Sequence, residues 1–191
     1  MSHHIYTTPG FIVHSAPHGE AGKFYLLFTR DLGMIGTTAQ GVRLSQSKLR
    51  YHTQDYSYGL FSVVRGKEVW RMTGAKEIEG IGLLPVSNRK LFVRIISLLK
   101  RLLHGEEKNE KLFEIVEKLY MYLASSSDSL EYIEYITVLR ILDCLGYLSH
   151  GAIFKDLISN TDITDDLLVQ VENDKDIIIE EINNALKESQ L

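Results

Sequence analysis

Cysteine is almost missing from this chain: Cys144 is the only one among 191 residues. A single thiol cannot close an intramolecular disulfide. Nor can it build a Cys-based zinc site, which needs several thiolates or a Cys/His set at short spacing. Long apolar runs are missing as well. The most apolar stretches are broken by Arg94, Lys100 and Arg101, so none has the unbroken length that a bilayer crossing demands. The opening residues, Met1 to Tyr6, carry neither the basic segment nor the apolar run of a secretory leader. A soluble, cytoplasmic protein is the expectation, and one reduced thiol agrees with a reducing compartment. Catalytic signatures are absent too. There is no G-x-S-x-G elbow, no P-loop, no G-x-G-x-x-G, no H-E-x-x-H and no kinase pattern. The expectation is a binding protein rather than an enzyme, working without a cofactor or metal.

The chain does have an ordinary globular composition, 45% hydrophobic and 24% charged, which argues against wholesale disorder. Its charge is unevenly spread. The net value of −4 divides into +3 over residues 1–80, +3 over 81–118 and −10 over 119–191. The local field of the basic first part, not the total, then governs which partners are attracted.

The first eighty residues read as strands. Phe11–Ala16, Phe24–Thr29, Met34–Ala39, Tyr58–Val64 and Glu68–Thr73 are rich in β-branched and aromatic residues. Turn residues separate them at Pro17–Gly22, Asp31–Gly33 and Arg65–Lys67, and one longer connection runs from Gly41 to Asp55. Five short strands with hairpin turns match a five-stranded barrel, of which the OB-fold is the common form and an SH3-like barrel the competitor. After Gly82 the apolar spacing becomes helical. Leu91, Ile95, Leu98 and Leu102 define a first helix with Ser87 as its expected N-cap. A second is expected over Glu107–Ala124, a third over Ser129–Leu145 ending at Gly146, and two more over Thr164–Glu172 and Asp174–Glu188. The fold class expected is α+β: an OB-fold domain over residues 1–80 and an α-helical bundle over 81–191.

Three stretches carry a family resemblance. They are Thr8–Glu20 (TPGFIVHSAPHGE), Leu27–Gly33 (LFTRDLG) with Ala39–Ser47 (AQGVRLSQS), and Leu139–Tyr147 (LRILDCLGY). In order and spacing they resemble the RecO family of recombination mediators, through about residue 150. The resemblance implies an OB barrel that binds single- and double-stranded DNA and promotes annealing. It also implies a RecR-like partner, contact with the acidic tail of single-stranded DNA-binding protein, and help in loading a RecA-type recombinase. Two departures stand out. Many relatives continue after Leu-Gly-Tyr into a zinc-holding cysteine cluster, whereas Leu148–Ile153 here contains none. Gln40, Leu44 and Gln46 also fall where the family carries Lys or Arg.

Binding single strands on a barrel needs cations for phosphates and rings for unstacked bases. The segment Arg43–His52 offers both. Arg43, Lys48 and Arg50 would meet phosphate, Ser45 and Ser47 would donate hydrogen bonds to it, and Tyr51 would stack. Arg65 and Lys67 at a hairpin tip, with Arg71 and Lys76 beyond it, extend the basic stripe; Lys23 and Arg30 bracket the second strand. For each of these the alternative is a solvated surface charge.

On the first helix, Arg89, Lys90, Arg94, Lys100 and Arg101 do not fall on one face at 100° per residue. Arg89, Lys90 and Arg94, with neighbouring leucines, are the expected receivers of the acidic, aromatic-tipped tail that the resemblance implies; the alternative is an ordinary basic solvent side. The histidines (His3, His4, His14, His18, His52, His104, His150) have no ligand spacing. Glu20 is expected to accept backbone N–H bonds within its turn, and Cys144 to fill core. A second functional reading stays open: a protein-interaction adaptor that has lost DNA binding, suggested by the thinned basic loop and the acidic last third.

Overall fold

The computed structural model describes residues 4–126, 128–148, 154–159 and 161–189. Two compact units emerge: residues 1–83 with 103–110, and residues 84–102 with 111–191.

The first unit is a barrel of β1 (Ile5–His18), β2 (Gly22–Thr29), β3 (Gly33–Ala39), β4 (Tyr58–Arg65) and β5 (Trp70–Glu79). The long β1 pairs antiparallel with β2 through its C-terminal half and with β4 through its N-terminal half. Its register shifts between Ile12 and His14, where a bulge adds the bend that a two-sided strand requires. β3 runs parallel to β5, and the closed order is β1-β2-β3-β5-β4. That order is the OB-fold and excludes the SH3-like alternative. The interior is filled by Ile12, Tyr25, Leu27, Ile35, Phe61, Val63, Trp70 and Met72, drawn from all five strands.

The turn between β2 and β3 is tightly built. Thr29, fully buried, donates its hydroxyl to the Gly33 carbonyl at 2.9 Å and accepts from Leu32 N at 3.1 Å. Gly33 has φ +68°, a region that penalises side chains, and a Cβ there would lie 2.3 Å from the Glu107 carbonyl oxygen. Residues 103–110 thus lie against this turn.

The second unit holds α1 (Val86–Leu102), α2 (Glu110–Ser125), α3 (Leu130–Cys144), α4 (Lys155–Ser159), α5 (Asp165–Asn173) and α6 (Lys175–Glu188). α3 is its hub, packed against α1, α4, α5 and α6. Its buried residues include Leu139, Arg140, Ile141 and Leu142 in succession, so every face of that turn is covered. Arg140 is 3% exposed and donates to the carbonyls of Leu157, Thr161 and Asp162 at 2.7, 2.9 and 2.9 Å. Burial pulls its pKa down to about 10, which still leaves the cation charged at neutral pH. Asn88, also buried, donates to the carbonyls of Leu123 and Ser126 at the end of α2.

Several boundaries differ from the sequence reading. Ser87 lies inside α1 and bonds Asn88 Oδ1 instead of capping. α2 starts at Glu110, because Gly105 (φ +89°) breaks the chain direction and Glu106–Lys108 serve the barrel unit. α4 was not anticipated; five residues are too few to show a period. Thr164 caps α5 as expected, accepting from Leu167 N at 3.4 Å. No helix among the described residues is long and apolar enough to cross a membrane.

Gly33→Ala should destabilise the protein by more than about 2 kcal/mol, combining left-handed strain with the backbone clash. Gly82→Ala, with nothing within 4 Å of the new Cβ, should change stability by less than about 0.5 kcal/mol. Urea denaturation of both variants checks the pair.

Candidate nucleic-acid interface

Strand register decides which cations meet. Lys23, near the start of β2, pairs with Ala39 at the end of β3. On the other side of β3, Thr37 pairs with Trp70 and Thr38 with Arg71 at the start of β5. The start of β2, the end of β3 and the start of β5 therefore share one rim of the barrel. The connection bearing Arg43, Ser45, Ser47, Lys48, Arg50 and Tyr51 leaves from that rim, and the turn bearing Lys67 leads into it. Arg30 follows the far end of β2, and Lys76 pairs with Leu60 midway along β5; neither lies on this rim.

The connection is anchored, not free. Val42 is buried in the barrel core and Leu49 packs against it. Arg43 N donates to the Ala21 carbonyl at 2.9 Å. Lys48–His52 form a single 3-10 turn, in which the Leu49 carbonyl accepts from Thr53 Oγ1 at 2.8 Å. The one hydroxyl hydrogen of Thr53 is thereby committed, so the Tyr25 phenol, 2.9 Å away, is the donor in their bond. Burial pushes the Tyr25 phenol up, and the Asp55 carboxylate raises it further. The phenol therefore stays neutral at physiological pH.

Between these anchors opens a pocket of about 270 Å³ lined by Lys23, Tyr25, Val42, Arg43, Arg50 and Thr53. Lys23 Nζ lies 3.4 Å from Ser15 Oγ and 5.8 Å from the Tyr25 ring centroid. Arg43 reaches the Glu20 carbonyl at 3.4 Å. Among the described residues no carboxylate pairs with Lys23, Arg43, Lys48, Arg50, Lys67 or Arg71. Tyr51 is 64% exposed and Ser45 is exposed beside it, while Ser47 is half-buried and does not cap the 3-10 turn.

Arg65 differs from the other rim cations. Its guanidinium lies 4.9 Å over the Trp70 ring and pairs with Glu106, whose other oxygen accepts from Trp70 Nε1 at 3.0 Å. The charge of Arg65 is already met from within the unit.

The helical unit has its own concave patch. Val86, Arg89, Lys90, Val93 and Arg94 line a groove of about 370 Å³ on α1. Three of the five helix cations thus share one groove, because positions 86, 89, 90, 93 and 94 recur at helical spacing on one face of α1; valines, not the expected leucines, supply its apolar part. Arg94 is bonded to Glu134, which raises its pKa further. Arg89 donates from one terminal nitrogen to the Leu84 carbonyl at 3.2 Å, and its buried Nε finds no acceptor among the described residues.

Other candidates resolve more simply. The Glu20 side chain is exposed and its carboxylate takes no backbone bond among the described residues; only its carbonyl is used, because Gly19 (φ +63°) turns the chain unaided. Cys144 is half-buried at the end of α3. Among the described residues no group of three His, Cys, Asp or Glu side chains is placed to hold a metal ion, and His3 and His150 lie outside those residues. Sequence reasoning missed Tyr25, Val42 and Thr53 as pocket walls. The hairpin register that seats Lys23 opposite Ala39 was the available signal.

An OB barrel whose rim gathers cations without carboxylate partners among the described residues, followed in the chain by a helical unit, defines a two-part α+β protein. Residues 1–81 match the family described as "Recombination protein O N terminal". The DNA repair protein RecO of Nitrosospira multiformis is 31% identical over 146 residues, covering 73% of this chain and 57% of that protein. The RecO proteins of Clostridium novyi and Dehalococcoides mccartyi are 24% identical over 148 residues and 37% over 76, covering 75% and 40% of this chain. The chain is thus similar to RecO proteins across its barrel and into its helical unit. It spans 57% of the length of the first two relatives and 30% of the third.

Glu106→Ala should red-shift the emission of Trp70, the only tryptophan, as residues 103–110 loosen from the indole. The stability loss should stay under about 1 kcal/mol, because the ion pair itself is half-exposed. An unchanged emission maximum would show that Glu106 does not hold the ring in solution.

Proposed function

We propose that this protein serves recombinational DNA repair as a non-enzymatic mediator of the RecO type. Its barrel binds single- and double-stranded DNA without strong sequence preference and promotes annealing of complementary strands. The observation that carries this reading is the gathering, at one rim of an OB barrel, of six cations without carboxylate partners among the described residues. Screening of phosphate charge there lets two strands approach, and the exposed Tyr51 offers a stacking face. No bond is made or broken.

Arg43, Ser45, Ser47, Lys48, Arg50, Tyr51, Lys67 and Arg71 are assigned to DNA contact, with Lys23 added. Arg65 contributes less than its neighbours, since Glu106 already neutralises it. In this reading the division of labour follows the chain: residues 1–80 hold DNA, and residues 81–191 dock protein partners in the cytoplasm. Those partners are a RecR-like protein and single-stranded DNA-binding protein, through which a RecA-type recombinase is loaded.

Affinity for a labelled single-stranded oligonucleotide should fall steeply with salt. Arg43→Ala, Lys48→Ala and Arg50→Ala should each weaken binding and reduce the slope of log K against log salt by about 0.7. Affinity that ignores salt would refute the assignment.

The α1 groove supports a second role. The apolar Val86 and Val93, the neighbouring cations Arg89 and Lys90, and an Arg89 Nε without an acceptor among the described residues suit an acidic peptide with an apolar tip, as the tail of single-stranded DNA-binding protein would supply. Such a peptide should bind by fluorescence anisotropy, and Arg89→Glu should weaken it at least about tenfold. Peptide binding without any DNA binding would favour the adaptor reading instead.

A further inference from the structure

The rim pocket has a chemistry narrower than general attraction to a DNA backbone. Three cations converge on it from separate parts of the chain: Lys23 from β2, and Arg43 and Arg50 from either side of the β3–β4 connection. Its walls are finished by Tyr25 and Val42, which are 0% and 2% exposed, and by Thr53 at 2%. These buried side chains back the pocket. A continuous strand needs a groove open at both ends, whereas a strand terminus can enter a recess.

Charge arithmetic points the same way. An internal phosphodiester brings one negative charge, and three cations around it would remain over-compensated after losing their water. A terminal phosphate monoester brings close to two charges and three acceptor oxygens. Lys23, Arg43 and Arg50 have no carboxylate partner among the described residues, so their charges are available to it. The hydroxyl chain at the back is consistent as well. Tyr25 gives its hydrogen to Thr53 and Thr53 gives its own to Leu49, so both oxygens keep lone pairs able to accept from a cation. They can orient ammonium and guanidinium N–H groups without adding charge. The volume, about 270 Å³, sits at the small end of ligand pockets, which run from roughly 300 to 1,000 Å³.

We propose that the pocket formed by Lys23, Arg43, Arg50, Tyr25 and Thr53 captures the terminal phosphate monoester of a DNA strand. This rests on the DNA-binding reading above and deepens it. The rim then binds DNA generally, and the recess registers where a strand ends. A protein that pairs complementary strands gains a defined starting point from such capture.

The test compares single-stranded oligothymidylates of about twelve nucleotides bearing a 5′-phosphate, a 3′-phosphate or neither, at one salt concentration. At least one phosphorylated form should bind about five- to tenfold more tightly than the unphosphorylated one. Lys23→Gln and Arg50→Gln should erase that preference. Lys67→Gln, on the same rim but outside the pocket, should weaken all three oligonucleotides alike and leave the preference intact. Circular dichroism melts of each variant establish that the barrel is folded. Equal affinity for the three oligonucleotides would overturn the pocket assignment and leave general DNA binding standing. Binding of none of them, even at low salt, would overturn both. A preference that survives in both pocket variants would place the end-recognition elsewhere and overturn this site.

Discussion

Closure of the barrel between β3 and β5 is the constraint on which the rest of the first unit depends. It is a short parallel contact, Thr37 with Trp70 and Thr38 with Arg71. Without it, the start of β5 and its hairpin turn would have no fixed relation to the start of β2. With it, Lys23, the β3–β4 connection, Lys67 and Arg71 are set around one rim. The contact is reinforced where it is short: Trp70 is buried in the core, lies under Arg65 and is bonded to Glu106. The indole therefore serves closure, packing and the placement of residues 103–110 at once.

The distribution of ion pairs separates structural from available charge. Arg65 has Glu106, Lys108 has Asp31 and Glu110, Arg94 has Glu134, and Lys175 has Glu131. These are mostly exposed pairs of small individual worth. Their significance lies in contrast with the rim, where six cations have no carboxylate opposite among the described residues. Like charges held together without counter-charges weaken the folded state slightly, and the barrel tolerates this because Val42, Leu49 and Thr53 anchor the connection independently of its charges.

In the helical unit the corresponding fixed point is Arg140. A guanidinium buried on a central helix would be costly if left alone. Here its bonds go to the backbone carbonyls of Leu157, near the end of α4, and of Thr161 and Asp162 beyond it. One side chain thus attaches Leu157, Thr161 and Asp162 to α3.

The sequence by itself determined the element types. Five β-branched and aromatic runs with Gly-rich turns, then apolar residues at helical spacing, were enough for a barrel and a bundle, because both signals are local periodicities. It also determined where positive charge concentrates and, through three short stretches, the resemblance to RecO proteins. What only the tertiary structure decided was which charges meet. Lys23 and Arg30 looked equivalent in the sequence, yet strand register sends one to the rim pocket and the other to the far end of β2. Arg65 and Arg71 looked like one stripe, yet Glu106, some forty residues on, neutralises the first and leaves the second without a carboxylate partner. Boundaries moved for the same reason: Glu106–Lys108 continue a helical pattern in sequence but are claimed by contacts with the barrel. Local pattern records the conformation a segment prefers, while pairing between distant segments is set by register and packing, which a single sequence does not display.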